Sequence, residues 1–180
     1  MVSLPCCTQK VTKVIAKRVA NTACLSLGSN LGDRLANLNC AIDGLRKLGS
    51  VSAISGIYEA EPVEMTNQPW FLNCAVKLET YLQPQQLLHK ILGIEREMGR
   101  IRAQPKGARN IDIDILLFGD RQIDSEELTI PHPALQTRRF VLEPLAEIAP
   151  QARHPILNKT ISQLKDELGA GQLVQRLTEQ

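Results

Sequence analysis

Gly107-Ala108-Arg109-Asn110-Ile111-Asp112-Ile113-Asp114-Ile115-Leu116-Leu117-Phe118 is the stretch on which the fold turns. Ile111, Ile113, Ile115 and Leu117 alternate with Asp112, Asp114 and Leu116. Period two predicts a β-strand with one apolar face. The other face carries two carboxylates at i and i+2, roughly 7 Å apart. Like charges at that spacing repel unless something cationic sits over them. Between Met98 and Ile111 there is no acid, but there are Arg100, Arg102, Lys106 and Arg109. A carboxylate pair beside a cationic loop suits a divalent metal held together with a polyphosphate. Oxygen donors of this kind favour Mg²⁺, which keeps several waters and shares its coordination with substrate phosphates. An isolated Asp-x-Asp is ordinarily just a solvated strand face, or one paired with nearby arginines, so the rest of the chain has to decide.

The chain has 180 residues, 43% of them hydrophobic, enough for one globular domain with a core. A net charge of +2 gives no global case for a nucleic-acid partner, and 3% aromatics argue against base-stacking platforms. Cys6, Cys7, Cys24, Cys40 and Cys74 are odd in number and form no C-x-x-C. They read as free, mostly buried thiols in a reducing, cytoplasmic setting. No apolar run approaches the ~20 residues of a transmembrane helix, so no membrane partner is expected. Residues 1–21 hold Lys10, Lys13, Lys17 and Arg18 and no acid. They read as a poorly ordered N-terminal extension ahead of a single domain over 22–180. An organelle transit peptide would favour Arg and Ser over Lys.

Taken in order, residues 22–27 read as a strand and Gly28-Ser29-Asn30 as a turn. Leu35, Leu38, Ile42, Leu45 and Leu48 then fall at helical spacing, with Gly49 as the stop. Residues 51–60 read as one strand and 61–69 as a loop. Residues 70–80 read as a strand with Leu72, Cys74, Val76 and Leu78 on one face. Phe71, Asn73, Ala75, Lys77 and Glu79 share the other, which puts an aromatic ring beside an amide. That pair suits a flat heterocycle, one residue stacking and the other reading an edge; a half-buried Phe beside a backbone-bonded Asn is the plainer alternative. Pro84 opens a second helix through Leu87, Leu88, Ile91, Ile94 and Met98. Leu128-Thr129-Ile130-Pro131-His132-Pro133 reads as an extended segment that fixes His132. A helix follows from Arg138, Arg139 and Phe140 to Pro150, then a short loop and one or two amphipathic helices with Ile161, Leu164 and Leu168 as the apolar positions. The order predicts an α+β fold with a ferredoxin-like βαββαβ core, an antiparallel sheet with helices packed on it.

Over residues 23–150 the chain resembles the 6-hydroxymethyl-7,8-dihydropterin pyrophosphokinase family of folate biosynthesis. The resemblance is carried by Leu25-Ser26-Leu27-Gly28-Ser29-Asn30-Leu31-Gly32-Asp33, by Tyr58 with Pro62, and by Gln68-Pro69-Trp70-Phe71-Leu72-Asn73. It continues through Glu95 to Arg102, Arg109 to Leu116, and Leu128 to Pro133. It implies an ATP-dependent transfer of diphosphate to a pterin alcohol by a monomer, giving AMP. It further implies two Mg²⁺ ions on Asp112 and Asp114, with Arg100 and Arg109 joining them as the catalytic set. Phe71 and Phe140 would sandwich the pterin, with Asn73, Asp112 and the backbone of Pro62 and Val63 at its edges. Glu95, Arg100, Arg102, Lys106, Arg109, Ile115, Thr129, His132 and Arg138 would face the nucleotide.

The chain departs from the family pattern in places. The loop over 103–109 is one residue shorter, lacks an aromatic and an arginine, and offers Lys106 as a point charge without arginine's bidentate fork. Ala60 stands for a common Thr, and Glu61-Pro62 for a Pro-Pro pair. Two other classes remain open on the residues: a non-catalytic binding module on the same core, and a metal-dependent transferase that releases ADP or diphosphate.

Overall fold

The computed structural model describes residues 20–63, 68–100, 107–169 and 171–178. Residues 1–19 of the expected 1–21 extension, Arg102 and Lys106 therefore lie outside the described residues, and Asn21 already belongs to the first strand. The first strand, β1 (Asn21–Ser29), runs through the middle of the main sheet. Helix α1 (Arg34–Arg46) follows, then β2 (Ser50–Ile54), β3 (Tyr58–Ala60) and β4 (Phe71–Thr80). Helix α2 (Pro84–Glu97) leads to β5 (Asp112–Phe118). The order β5-β1-β4-β3, antiparallel throughout, with β2 and β3 sharing β4 as partner, is the ferredoxin-like core the sequence predicts.

Beyond the core come a small hairpin of β6 (Ile123–Asp124) and β7 (Thr129–Ile130), a 3-10 turn at Leu135–Thr137, and the helices α3 (Arg139–Ile148) and α4 (Ile161–Glu167). Strand β8 (Val174–Arg176) closes the described chain. No described helix is long and apolar enough to cross a membrane.

The sheet has two apolar faces. Leu25, Leu27, Leu72, Val76, Leu78, Ile113 and Ile115 meet Leu38, Leu45, Leu87 and Ile91 of α1 and α2. On the opposite face Cys24, Ala75, Leu116 and Leu117 meet Val141, Leu142, Leu145, Ile161 and Leu164 of α3 and α4. That second pair of helices covers only part of its face, and the remainder is left for the site.

Five local expectations change. Gly28 and Ser29 are strand, not turn, because both pair with β4 and Gly28 also pairs with Asp112. Residues 51–60 break at Ser55-Gly56-Ile57. There the Ser55 hydroxyl stands in for the ladder by accepting from Ala75 N (2.9 Å), and Glu147 accepts from Gly56 N (3.1 Å) and Tyr58 Oη (2.9 Å). Leu117 does not share a face with Ile113 and Ile115. Leu25 pairs with Ile115 and Cys24 with Leu117, so Leu116 is an extra residue, a β-bulge that reverses the alternation. Leu35 is exposed at the start of α1. The C-terminal stretch, read as loop and helix, ends in β8, which pairs with the edge of β3.

Gly49 serves a different purpose from the helix stop expected of it. A Cβ there would lie 2.2 Å from the Glu79 carbonyl oxygen, so the need is close backbone approach to β4. Gly93, inside α2, has nothing within 4 Å of a built Cβ. Gly49→Ala should therefore lower stability by about 1–3 kcal/mol through forced displacement. Gly93→Ala should raise it by about 0.5–1 kcal/mol through helix propensity. Urea titration of the two variants beside the parent checks both signs.

Candidate active site

Three strands build the floor as a grid. Register places Asp112, Gly28 and Asn73 in one row across β5, β1 and β4, and Asp114, Ser26 and Ala75 in the next. Side chains at i and i+2 share a face, so the two aspartates point to the same side as Ser26, Asn73 and Phe71. At Gly28 a Cβ would come within 3.1 Å of Asn73 Oδ1 and 3.7 Å of a Phe71 ring carbon. Its missing side chain leaves a flat recess between the amide, the ring and the carboxylates.

The walls come from more distant segments. Ala60, Glu61, Pro62, Val63 and Gln68 form one side of a cleft; Arg138 and Phe140, at the start of α3, close another. Phe71, Asn73, Arg109, Asp112, Asp114, Ser26 and Gly28 complete the lining. Asn73 is 2% exposed, and its amide nitrogen donates to Phe71 O at 3.4 Å. Buried Asn30 joins the two flanking loops. Its side-chain nitrogen donates to Gln68 Oε1 (3.1 Å), and its Oδ1 accepts from Arg109 N (2.8 Å).

The charges are arranged around Asp112. Arg100 Nη1 reaches Asp112 Oδ1 at 2.6 Å and Arg109 Nη2 reaches Oδ2 at 2.7 Å. Arg100 is also bonded to Glu95, which is 2% exposed and accepts from Ile113 N at 2.9 Å. A buried carboxylate needs such partners to stay charged. Asp114 has weaker compensation: burial first, then the neighbouring Asp112, push its carboxyl up to about 6, against a pull downward from Arg138 and Arg109. The Arg109 guanidinium lies over the Phe71 ring, 5.3 Å from its centre.

His132 is held by its backbone: its N–H donates to the carbonyl of the bulged Leu116 at 3.0 Å. Its Nδ1 accepts from Ala134 N at 3.2 Å, which leaves the proton on Nε2. Burial and Arg138 lower its pKa, so the ring is a neutral donor.

Of the residues expected at the site, Pro62, Val63, Phe71, Asn73, Arg109, Asp112, Asp114, Arg138 and Phe140 line one cleft. Arg100 and Glu95 line a second hollow with His89, Leu92 and Arg96, and the Arg100–Asp112 pair connects the two. The Ile115 side chain is buried in the core on the opposite side of the sheet. Thr129 sits in β7, paired with Asp124, and lines neither hollow. Ser26, Gly28, Glu61 and Gln68 also line the cleft, although no role was predicted for them. For Gly28 a signal existed, since a glycine within a strand pattern marks close approach.

No group of three or more His, Cys, Asp or Glu able to hold a metal occurs among the described residues. Two adjacent carboxylates still fit Mg²⁺, which is commonly bound through one or two carboxylates plus substrate phosphates. The incompletely compensated charge at Asp114 is what such an ion would neutralise.

Fold and site define a class: a ferredoxin-like domain whose cleft sets an aromatic ring and a buried amide beside a carboxylate pair. Comparison with known proteins gives the family. The 7,8-dihydro-6-hydroxymethylpterin-pyrophosphokinase profile matches residues 24–150. The 2-amino-4-hydroxy-6-hydroxymethyldihydropteridine pyrophosphokinase of Aquifex aeolicus is 43% identical over 146 residues, 81% of this chain and 91% of that protein. The folic acid synthesis protein fol1 of Schizosaccharomyces pombe is 43% identical over 148 residues, 81% of this chain but 20% of that protein. A Plasmodium falciparum HPPK-DHPS crystal structure shares the fold at a TM-score of 0.68 and 21% identity, covering 85% of this chain and 45% of that one. The chain belongs to the 7,8-dihydro-6-hydroxymethylpterin-pyrophosphokinase family.

Asp114→Asn tests the charge imbalance. A carboxyl raised from 3.8 to about 6 holds its proton longer when folded than when unfolded, so its ionisation costs stability as pH rises through that window. Without Mg²⁺, the Asn variant should be more stable than the parent by roughly 1–3 kcal/mol at about pH 7.5 and indistinguishable below about pH 4. It should also lose Mg²⁺-dependent nucleotide binding. Equal urea midpoints at the higher pH would mean that the charge is already compensated.

Proposed function

We propose that this chain transfers diphosphate from ATP to the hydroxymethyl group of 6-hydroxymethyl-7,8-dihydropterin, giving AMP and the pterin diphosphate in folate biosynthesis. The observation that carries this is the recess over Gly28, with Phe71 and Asn73 on one side and Asp112 and Asp114 on the other. A flat, polar-edged ring seated there brings an alcohol attached to it within reach of the carboxylates.

Each residue's part follows from its position. Phe71 and Phe140 hold the ring faces, while Asn73 and the backbone of Pro62 and Val63 read its edges. Asp112 and Asp114 would hold two Mg²⁺ ions, which when bound would supply neutralisation of the phosphate charge. Arg100 and Arg109 would bind the phosphates, with Arg102 and Lys106 contributing from the same loop and Arg138 and His132 from the α3 side. Neutral His132, with its proton on Nε2, suits a phosphate oxygen. Glu95 would act through the nucleotide hollow it lines with Arg100, whereas the Ile115 side chain packs in the core and Thr129 lines neither hollow, so neither side chain has a part in this reading. Displacement at phosphorus asks little covalent help of a protein; alignment and charge stabilisation carry most of it.

The Arg109–Phe71 contact supports an order of binding. The guanidinium covers a ring face that the pterin needs, and Asp112 holds it there. Arg109 leaves that face as it engages the phosphates, and the pterin then takes its place. Nucleotide therefore binds first, and closure of the flanking loops excludes competing water. Cys24, Cys40 and Cys74 are free thiols, in keeping with the cytoplasm.

Incubation with ATP, Mg²⁺ and the pterin alcohol should yield AMP and pterin diphosphate in equal amounts. Release of ADP or free diphosphate would move the enzyme to another class. In the same preparation, Mg²⁺ with α,β-methylene ATP should tighten pterin binding by about tenfold or more, a coupling of about 1.4 kcal/mol. Pterin affinity that ignores the nucleotide would refute the Arg109 gate.

A further inference from the structure

The family match ends at residue 150, yet the last described stretch of the chain is bonded into the cleft. Strand β8 pairs with β3 in the register Tyr58↔Arg176, Glu59↔Gln175 and Ala60↔Val174. Just before it, Leu173 N donates to Glu61 Oε1 at 3.0 Å, and Glu61 N donates to Leu173 O at 3.4 Å. The start of the segment is held against α3, where Arg139 Nη2 donates to Leu168 O at 2.8 Å and Gly169 O at 3.2 Å.

Gln172 lies between these anchors, and its amide spans both cleft walls. Its Nε2 donates to Glu61 O at 3.3 Å. Its Oε1 accepts from Phe140 N at 3.4 Å. Phe140 is in the first turn of α3, where backbone N–H groups have no partner inside the helix, and Arg138 gives no side-chain cap. Glu61 leads directly into Pro62 and Val63. An amide places a neutral donor and a neutral acceptor on two separate atoms at the end of one long side chain, and so can bond a carbonyl on one side and an N–H on the other.

We propose that Gln172 is a positioning residue for the pterin cleft: its amide sets the separation between the 61–63 wall and Phe140. This rests on the function proposed above. Glu61 and Phe140 line the first cleft and not the second hollow of Glu95 and Arg100, so the effect falls on the pterin more than on the nucleotide.

The test measures 6-hydroxymethyl-7,8-dihydropterin binding in the presence of Mg²⁺ and α,β-methylene ATP, together with turnover and melting temperature. Gln172→Ala should raise the pterin Kd and KM by about fivefold, in keeping with neutral hydrogen bonds, with nucleotide Kd and saturated kcat little changed. Gln172→Glu should do no better, because an oxygen would then face the Glu61 carbonyl. An unchanged pterin Kd in Gln172→Ala overturns the proposal. So does a parallel loss of pterin affinity, nucleotide affinity and melting temperature, which would mark general loosening. Recovery of parental affinity by Gln172→Glu overturns it as well. Parental turnover accompanied by any of these overturns the positioning role alone, whereas absence of parental turnover overturns the function and this role together.

Discussion

Arg100 and Arg109 each take one oxygen of Asp112, right beside Asp114. Most of the site depends on that clamp. Arg100 is itself held by Glu95, and Glu95 accepts from the backbone of β5 next to Asp112, so the charge network and the strand fix one another. Buried ion pairs often cost as much in desolvation as they return, and their value here is geometric. They hold a strand, a helix end and a loop in one arrangement, and they leave Asp114 undercompensated for a cation to meet.

The same clamp links two cavities that would otherwise be separate. Asp112 faces the ring-binding recess, while Arg100 lines the hollow against α2. Movement of either arginine toward an anion would alter Asp112 and, through Arg109, the free face of Phe71. Under the proposed function, that coupling gives a reason for one ligand to precede the other.

The sheet serves this site by being different at its two ends. Near α3 and α4 its second face is apolar, with Cys24, Ala75, Leu116 and Leu117 buried. Past the bulge at Leu116 that face turns to Asp114, Ser26, Gly28 and Asn73. The bulge lets both Leu116 and Leu117 pack on the α3 side and returns Phe118 to the other core. Its carbonyl then anchors His132. One inserted residue therefore ends the active face, completes a core and fixes a histidine.

Much of this was legible in the residues. Alternation in 111–115 and 71–78, helical spacing in α1 and α2, and turn chemistry between them determine the antiparallel core, because side-chain period follows directly from backbone geometry. The same alternation puts Asp112 with Asp114, and Phe71 with Asn73. What it could not give was anything set by contacts between distant segments. The bulge at Leu116 depends on pairing with β1, Gly49 on the approach of β4, and the break at Ser55 on bonds to Ala75 and Glu147. Strand β8 has too short an apolar pattern to declare itself and forms on the open edge of β3. By itself the sequence determined which residues share a face; the tertiary structure decided which faces meet, because register, bulges and cross-chain hydrogen bonds are settled only when remote strands and helices pack together.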